Sequence, residues 1–368
     1  MKKILLIGPI LENLTGFRKE LVQTLLEEGY DVTFATSFSQ DETKRVDERV
    51  HLINVNIDRR GSSIIADLKL SKKYLNVLRD LKPDCVLTFT TKCSVYGGIA
   101  CTIMRVPYIV NNSGLYNPDD FGKLKWFILN SLYKLGYSHA RCLMHQNKYE
   151  QQYLDKKTRN RPKSILLPGS GVNLDAYAYC PYPEENGKVI LNYLARIVNI
   201  KGIFELLEAA KVLKPIYPEM EIRIYGSFES QSYKQVVEKA EIEGLVKYCG
   251  KTNNVPYAIK SCHGLVHPSY YEGMSNVILE HSAMGRPCLG SDIPGVREGI
   301  EDGVTGFIFK TKDVESLISA IKKFMSLSYE EKKQMGIRAH EKMAREFDRK
   351  LVVESYMSEI HRIINKLK

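Results

Sequence analysis

The sequence predicts an α/β protein of two domains, each built on a parallel sheet covered by helices on both faces. Short apolar runs without polar alternation recur along the chain, and segments with helical periodicity separate them. This is the pattern of parallel strands that are buried on both faces. The pattern is interrupted near the middle of the chain, and 368 residues exceed what one hydrophobic core usually supports.

The first half contains six strand-like apolar runs: Ile4–Ile7, Val32–Ala35, Leu52–Val55, Cys85–Phe89, Tyr108–Val110 and Cys142–Met144. Helical patterns lie between them, such as Phe17, Leu21 and Leu25. The second half repeats the scheme without repeating the sequence, in the runs Val189–Leu194, Ile222–Tyr225, Val246–Cys249, Leu265–Val266 and Cys288–Leu289.

We place the domain boundary in a segment rich in Gly, Pro and polar residues, which is typical of linkers. Residues 1–170 form the first predicted domain, 171–185 the linker and 186–347 the second domain. A last helical stretch, Leu351 to Leu367, follows after the second set of strands is complete.

The composition is that of an ordinary globular protein with a basic balance. The chain is 44% hydrophobic and 26% charged, and its formal net charge is +10. Such a charge suits an anionic partner: a nucleotide diphosphate, an anionic lipid surface or nucleic acid. Nucleic acid is disfavoured because the basic residues are scattered and no nucleic-acid module signature is present.

The eight cysteines contain no Cys-x-x-Cys pair, and several lie in apolar runs. They indicate small buried side chains in a reducing cytoplasm rather than disulfides or a zinc site. The amino terminus lacks the apolar length of a secretory signal, and no apolar run approaches the roughly 20 residues that span a bilayer. We therefore expect a cytoplasmic protein that is not integral to the membrane.

The most informative segment is Glu272 to Glu280, in which two carboxylates stand eight positions apart. Glu272 follows an apolar run and a Pro-Ser turn, whereas Glu280 lies inside a helical pattern for which Ser275 is the expected N-cap. One carboxylate should therefore lie at the carboxyl end of a strand and the other on the next helix. Open α/β sheets bind ligands at that position, and a helix amino terminus there favours anions.

This segment resembles the Glu-x7-Glu signature of retaining, nucleotide-sugar-dependent glycosyltransferases of family 4. Further matching motifs follow in the family's order: Leu167–Asn173, Ala195-Arg196 with Lys201-Gly202, Pro268-Ser269, Gly285–Pro287, Pro294-Gly295 and Asp302–Phe307. The likeness covers roughly half of the chain and is greatest to the branch that builds bacterial capsule, O-antigen or exopolysaccharide units on a lipid carrier.

The resemblance implies the GT-B fold, in which two Rossmann-like domains face a cleft and the C-terminal helix (348–368) crosses back to the first domain. It implies an acceptor-binding first domain and a second domain that binds the nucleotide sugar. The expected donor is a UDP-hexose or UDP-N-acetylhexosamine, and the expected acceptor is a glycan linked to polyprenyl diphosphate. Retention of anomeric configuration comes from the resemblance and not from any spacing.

By resemblance, Arg196 and Lys201 stabilise the diphosphate that leaves the donor, and cations aimed at a growing negative charge favour the transition state. Without the resemblance, they would be two exposed basic residues at a helix start, where cations are unfavourable. Resemblance also gives Glu280 the ribose hydroxyls and Glu272 the hydroxyls of the donor sugar. The remaining candidates for donor binding are Gly273, Met274, Ser275, Asn276, Gly226, Thr252 and Val255. For Asn276 a helix-capping role is equally open.

The first domain departs from the family pattern. Many members have paired glycines after the first strand, whereas here Gly16 is the expected close-approach position. A histidine common in a later loop is absent, and Ser113 is its suggested substitute. Asp119-Asp120 resembles part of a metal-binding Asp-x-Asp, but it follows Pro118 without a supporting strand, so we interpret it as a turn. We expect no essential metal and no cofactor other than the donor.

Two other functions remain open. Non-hydrolysing nucleotide-sugar epimerases share the two-domain architecture, and a non-catalytic subunit that binds a nucleotide sugar would explain the absent histidine. A glycosidase also uses two carboxylates, but it needs no cationic site for a diphosphate. A nicotinamide dehydrogenase is disfavoured because no Gly-x-Gly-x-x-Gly follows the first strand.

The segment 121–137 has two apolar stripes at helical spacing. We expect Leu124, Phe127, Ile128, Leu132 and Leu135 to pack on the first domain. Trp126, Leu129, Tyr133 and Tyr137 would then form a second face, bordered by Lys123, Lys125 and Lys134. Either another helix covers this face or it binds a membrane surface, with aromatic side chains in the interface and lysines at anionic headgroups.

Overall fold

A computed structural model describes residues 1–44, 46–57, 64–112, 114–115, 122–158, 160, 162–184 and 187–366. The chain forms two compact units. Unit 1 contains Met1–Ser170 together with the chain from Lys350 onward, and unit 2 contains Gly171–Arg349.

Unit 1 is built on a seven-stranded parallel sheet in the order β3-β2-β1-β4-β5-β6-β7. Its strands are β1 Lys3–Ile7, β2 Asp31–Thr36, β3 His51–Asn54, β4 Cys85–Phe89, β5 Tyr108–Asn111, β6 Cys142–His145 and β7 Lys163–Leu166. The helices between them are α1 Leu11–Thr15, α2 Lys19–Glu27, α3 Gln40–Thr43, α4 Ile64–Leu81, α5 Thr91–Met104, α6 Lys123–Tyr137 and α7 Lys148–Lys157.

Unit 2 is built on a six-stranded parallel sheet in the order β10-β9-β8-β11-β12-β13. Its strands are β8 Val189–Leu194, β9 Met220–Tyr225, β10 Lys247–Tyr248, β11 Gly264–His267, β12 Cys288–Ser291 and β13 Gly306–Phe309. Its helices are α8 Ile203–Leu213, α9 Gln231–Ile242, α10 Val255–Lys260, α11 Asn276–Ala283, α12 Val314–Ser326 and α13 Tyr329–Glu346. The strand order reverses between β8 and β11, which makes that position the switch point of the sheet.

The last helix, α14 (Arg349–Asn365), belongs to the core of unit 1. Its buried side chains pack with those of β1, β2 and β4; they are Val352, Tyr356, Met357, Ile360, Ile363 and Ile364. This confirms the predicted return of the C-terminal helix. The predicted α/β class is also confirmed, because two parallel-sheet Rossmann-like units are present.

The segment interpreted as a linker is packed on unit 2 over much of its length. Val172 is buried, and its N–H donates to the carbonyl of Phe347 over 2.8 Å. The hydroxyl of Tyr182 donates to the carbonyl of His263 over 2.8 Å. The segment's Gly and Pro residues therefore mark a turn-rich chain that contributes to unit 2.

Helix α6 packs with the opposite face from the one expected. Tyr133 and Tyr137 are fully buried, and the ring of Trp126 lies 5.9 Å from the ring of Tyr153. The stripe expected to be buried is largely exposed; its most exposed members are Leu124 at 73% and Phe127 at 70%. The prediction of which stripe joins the core was therefore wrong. The hydroxyl of Tyr137 has a buried partner there, because it donates to Asn112 over 3.2 Å, and the ring of Tyr133 packs 5.3 Å from that of Tyr137.

Within the described part of the chain, no helix combines the length and the apolar character that crossing a bilayer requires.

Candidate active site

Lys201 and Glu272 meet beyond the carboxyl ends of the two strands at the switch point of unit 2. Lys201 ends a short 3-10 helix (Asn199–Lys201) that follows β8, and Glu272 lies in the loop that follows β11. The ammonium of Lys201 is hydrogen-bonded to Oε1 of Glu272. The structure thus brings together two residues that stand 71 positions apart in the sequence.

Glu272 is an ionised carboxylate in a largely buried setting. Burial by itself would raise its pKa, but a hydrogen bond from His267 and the charge of Lys201 together lower that pKa to about 2. Nε2 of His267 lies 2.9 Å from Oε1 of Glu272. The net lowering means that Glu272 stays negative at any physiological pH.

The backbone around Lys201 is fixed by glycine and by the facing loop. Gly202 has a φ of +69°, and a Cβ at this position would collide with the carbonyl oxygen of Pro268. The N–H of Tyr270 donates to the carbonyl of Ile200 over 2.9 Å. The loop after β8 is therefore docked directly on the loop that carries Glu272, and this docking sets where the lysine ammonium can reach.

Residues 273–275 are held by the Pro294-Gly295 turn. The N–H of Ser275 donates to the carbonyl of Gly295 over 2.8 Å, and a Cβ on Gly295 would collide with the carbonyl oxygen of Gly273. Met274, between them, is buried in a small apolar cluster that includes Val172 and Phe347. These contacts therefore hold the backbone of residues 273–275 in place next to Glu272.

Ser275 is the N-cap of α11 as expected, but its hydroxyl makes no capping bond. Its Oγ lies 3.1 Å from Nε2 of His267 instead. Asn276, the first residue of the helix, has a buried Oδ1 without a hydrogen-bond partner within the described chain. A buried acceptor without a donor is costly, so a ligand hydroxyl or N–H at this position would stabilise it.

Glu280 lies one turn further along α11 in a different environment. Burial raises its pKa to about 7, and the hydrogen bond from Tyr177 and the charge of Arg349 only partly offset that rise. Near neutral pH the carboxyl is therefore divided between its two protonation states. Tyr177 belongs to the segment first interpreted as a linker, and Arg349 is the last residue of unit 2.

Arg196 does not join this cluster. Its guanidinium is exposed and lies 3.6 Å from a carboxylate oxygen of Glu229. Its predicted role on the diphosphate stays a prediction.

The donor-binding candidates Gly226, Thr252 and Val255 follow β9 and β10 in the sequence. Gly226 donates to the carbonyl of Gly250 over 3.0 Å and accepts from the hydroxyl of Tyr248 over 2.9 Å, so both of its backbone groups are occupied. Thr252 Oγ1 accepts from the N–H of Asn254, and Val255 is the first residue of α10. Gly226 therefore has no N–H left to donate to a nucleotide.

Of the candidates in unit 1, only Gly16 lies within the described residues. Gly16 is exposed and donates to the carbonyl of Glu12 over 2.9 Å at the end of α1. Ser113 and Asp119-Asp120 lie outside the described residues.

Unit 1 contains a buried polar cluster of Asn112, Tyr137 and Glu150 next to the carboxyl ends of β5 and β6. Asn112 accepts from Tyr137 over 3.2 Å. Burial raises the pKa of nearby Glu150 to about 8, although hydrogen bonds from the backbone of Gln146 and Leu115 and from the Asn112 side chain act against that rise. At neutral pH Glu150 is therefore mostly a neutral acid.

Among the described residues, no group of three or more His, Cys, Asp or Glu side chains is arranged to hold a metal ion.

Three residues at these sites escaped the sequence interpretation: His267, Tyr177 and Arg349. His267 carried a usable signal, because it ends a buried strand five positions before Glu272. Tyr177 and Arg349 carried none, since both reach Glu280 only through the folding of distant segments.

Family models match both units of the chain. A model described as "Glycosyl transferase 4-like" matches residues 3–147, and one described as "Glycosyl transferases group 1" matches residues 181–342. The two parallel-sheet Rossmann-like units have the GT-B architecture, and the family matches identify the chain as a glycosyltransferase. Its matches over both units are consistent with glycosyltransferase family 4.

Two curated relatives match over most of their length. The N,N'-diacetylbacillosaminyl-diphospho-undecaprenol α-1,3-N-acetylgalactosaminyltransferase of Campylobacter jejuni is 23% identical and covers 95% of this chain and 96% of its own. The UDP-Gal:α-D-GlcNAc-diphosphoundecaprenol α-1,3-galactosyltransferase of Escherichia coli is 24% identical, with coverage of 85% and 84%.

Solved structures share the fold over nearly the whole chain. Anabaena HepE in complex with UDP has a TM-score of 0.75 at 16% identity and covers 98% of this chain and 99% of its own. Sucrose-phosphate synthase from Thermosynechococcus elongatus has a TM-score of 0.80 at 16% identity and covers 100% of both chains.

Proposed function

We propose that this glycosyltransferase moves a sugar, with retention of configuration, from a UDP-hexose or UDP-N-acetylhexosamine to a lipid-linked glycan in bacterial surface polysaccharide synthesis. The observation that carries the proposal is the Lys201–Glu272 pair at the switch point, with Glu280 on the helix that follows. Both relatives named above act on undecaprenol-diphosphate-linked acceptors, and one of them uses a UDP-sugar.

The proposed reaction assigns a separate task to each charged group. The bond between the sugar's anomeric carbon and the diphosphate breaks, and its electron pair leaves with the diphosphate. The acceptor hydroxyl forms the new bond on the same face, and its proton passes to the departing diphosphate. An ammonium has three N–H donors, so Lys201 can keep Glu272 and still bind phosphate oxygens.

The two carboxylates fix the donor. Glu272 accepts hydrogen bonds from the sugar and Glu280 from the ribose, and charge-assisted bonds of this kind contribute about 1.5–3 kcal/mol each. The backbone of residues 273–275 and Asn276 border the sugar and diphosphate. Gly226, Thr252 and Val255 border the nucleotide, and Arg196 exchanges Glu229 for phosphate when the donor binds. Gly16 remains the donor-binding candidate of unit 1. Neither a metal nor a cofactor takes part.

The deciding experiment incubates the protein with a panel of nucleotide sugars and a lipid-linked acceptor. We expect free nucleotide diphosphate and an extended lipid whose new linkage has the donor's anomeric configuration, and we expect turnover to persist in chelator. An epimerised sugar nucleotide would identify an epimerase instead. Donor binding without turnover would identify a non-catalytic subunit, and dependence on Mg²⁺ or Mn²⁺ would contradict the metal-free reaction.

Substitutions at the pair test the site itself. We expect Lys201→Ala to lower kcat/KM by about one to two decades, because it removes a charged contact from the leaving group. Glu272→Ala should remove most turnover. Lys211→Ala is the matched control, because Lys211 forms an exposed ion pair with Glu208 on α8. Near-normal kcat/KM in the Glu272 variant would refute the assignment.

We also propose that the enzyme works on the inner face of the cytoplasmic membrane and docks through the α6 surface. We define this surface as the exposed apolar side chains Leu124, Phe127, Ile128 and Leu135 of α6, with Ile103 of α5 beside them. Exposed Lys123, Lys125 and Lys134 lie on the same helix. Apolar side chains bordered by lysines fit an anionic lipid surface, where each lysine contributes roughly 1 kcal/mol.

Co-sedimentation with anionic liposomes tests this docking. Wild type should bind at low salt and be released at high salt, and Phe127→Ser/Ile128→Ser should bind much less. The matched control Val212→Ser/Ile216→Ser removes similarly exposed apolar side chains from unit 2 and should bind like wild type. Equal recovery of wild type and the α6 variant would exclude this surface as the anchor.

A further inference from the structure

His267 contacts Glu272 but has no role in the proposed reaction. It ends β11 immediately before the Pro268-Ser269 turn and is 3% exposed. A buried histidine at a strand end is often just a packed side chain. Here its ring points a nitrogen at the carboxylate that the proposed function places on the donor sugar.

The hydrogen bonds fix the tautomer of the ring. Glu272 is ionised and can only accept, so the proton between the two side chains belongs to Nε2 of His267. The hydroxyl oxygen of Ser275 lies 3.1 Å from the same nitrogen, so it can act only as a second acceptor for that N–H. Nδ1 is buried and has no hydrogen-bond partner among the residues that the structure describes. The ring is therefore oriented from its Nε2 edge alone.

His267 and Lys201 both donate to the same carboxylate oxygen, Oε1 of Glu272. Within the described chain no hydrogen bond is made to the other oxygen, Oε2. The glutamate is therefore held by one oxygen from two directions, which fixes the rotation of its carboxylate plane.

We propose that His267 is a positioning residue that turns Glu272 so that Oε2 alone is offered to the donor sugar, with Ser275 holding the ring in place. The proposal rests on the proposed role of Glu272 in donor binding. His267 itself touches no substrate. Without it, Lys201 would be the only group holding the carboxylate, and a flexible ammonium on a single contact does not fix a plane.

The hydrogen bond from His267 also helps to keep Glu272 charged. The N–H of His267 is one of the two interactions that keep Glu272 ionised despite its burial. Burial raises the pKa of Glu272, and the His267 hydrogen bond lowers it. Without that hydrogen bond the pKa of Glu272 should rise, and the carboxylate should become protonated at a higher pH than in wild type.

A pair of substitutions separates positioning from packing. His267→Leu keeps a similar volume and removes the donor, whereas His267→Gln keeps an amide N–H that reaches a similar position. We expect His267→Leu to lower kcat/KM at least about 10-fold, mainly through the KM for the donor. The kcat should change much less than the KM. His267→Gln should recover most of the loss in KM.

Thermal melts of both variants show whether the fold survives. The proposal is overturned if folded His267→Leu keeps the wild-type KM for the donor, or if His267→Leu and His267→Gln lose activity equally. If the Leu variant does not fold, Ser275→Ala takes its place and should raise the KM for the donor by a smaller amount; an unchanged KM would then overturn the proposal. Glu272→Ala distinguishes the two proposals: its full activity would refute the proposed site, whereas its inactivity beside a wild-type-like His267→Leu would refute positioning alone.

Discussion

The carboxyl groups of Glu272 and Glu280 are eight residues apart and have opposite environments. Two donors outweigh burial at Glu272 and hold its pKa at about 2, whereas burial prevails at Glu280 and raises its pKa to about 7. Only Glu280 therefore changes charge near neutral pH. If it binds ribose hydroxyls as an acceptor, the affinity for nucleotide should follow that change.

The first prediction concerns this titration. Wild-type affinity for UDP should weaken as pH falls from about 8 to about 6, because a raised pKa means that the accepting carboxylate is lost on this descent. Tyr177→Phe removes a donor to the carboxylate, so the midpoint of the loss should move to higher pH. Calorimetric titration with UDP measures both.

Glu280→Gln is the control for this experiment, because titration of the phosphates of UDP is common to both proteins. Any loss of affinity seen in wild type and absent from Glu280→Gln belongs to the carboxyl group. Identical profiles for the two proteins would contradict the assignment of Glu280.

A second prediction concerns Glu150, whose pKa is raised to about 8. Between the ordinary value and about 8 the folded chain keeps a proton that the unfolded chain has released. The stability from this group is therefore present at acid pH and lost as pH rises through about 8. The Tm of wild type relative to Glu150→Gln should fall as pH rises from about 5.5 to about 8.5. The exposed Glu12→Gln should show no such trend, and a constant difference for Glu150→Gln would contradict the buried acid.

The sequence led to Lys201 and Glu272 because their spacing within two local motifs matches a family pattern. It could not lead to Tyr177 or Arg349, since their approach to Glu280 depends on a path between strands that no local pattern encodes. It also grouped Arg196 with Lys201, whereas the two side chains have different partners: one pairs with exposed Glu229 and the other with Glu272.

Elements were foreseen where burial is nearly complete. The runs Val189–Leu194 and Cys85–Phe89 were predicted with the bounds that the structure has, because strands buried on both faces are apolar at most positions. The edge strands β7 and β13 were missed, and their short length and exposure do not explain it, because the equally short edge strand β3 was predicted from its run Leu52–Val55. Helix α6 was foreseen as a helix, but its two apolar stripes are similar in sequence, and no local pattern shows that Tyr137 has a buried acceptor in Asn112.

At the element scale, the αL glycine before α8 should be essential for placing Lys201. Gly202→Ala adds both strain from its positive φ and a collision with Pro268. Gly244→Ala is the matched control, because its φ of +72° is similar and no atom lies within 4 Å of the added Cβ. Strain alone costs about 1–2 kcal/mol, so the control should lose about that much unfolding free energy and keep its turnover. Gly202→Ala should lose more and also lose kcat/KM; equal effects would contradict the docking of the two loops.

At the scale of the whole molecule, unit 1 depends on a helix that the chain supplies only after unit 2. Tyr356 of α14 is fully buried, with its ring 6.2 Å from that of Phe89 and beside the guanidinium of Arg18. Tyr356→Ala should cost about 3–5 kcal/mol, measured by urea unfolding of the full chain. The exposed Leu351→Ala on the same helix should cost less than about 1 kcal/mol. Similar losses for the two variants would show that α14 is not part of the core.

The first and last segments of unit 2 lie side by side. The carbonyl of Val172 accepts from the N–H of Arg349 over 3.0 Å, and the N–H of Val172 donates to the carbonyl of Phe347. Unit 2 is thus one uninterrupted stretch whose ends meet, and it contains all of its own core residues. Unit 1 is assembled from two separate stretches, because Val352 to Ile364 fill part of its core. A chain cleaved just after residue 349 would therefore leave unit 2 with its whole core and deprive unit 1 of part of its own.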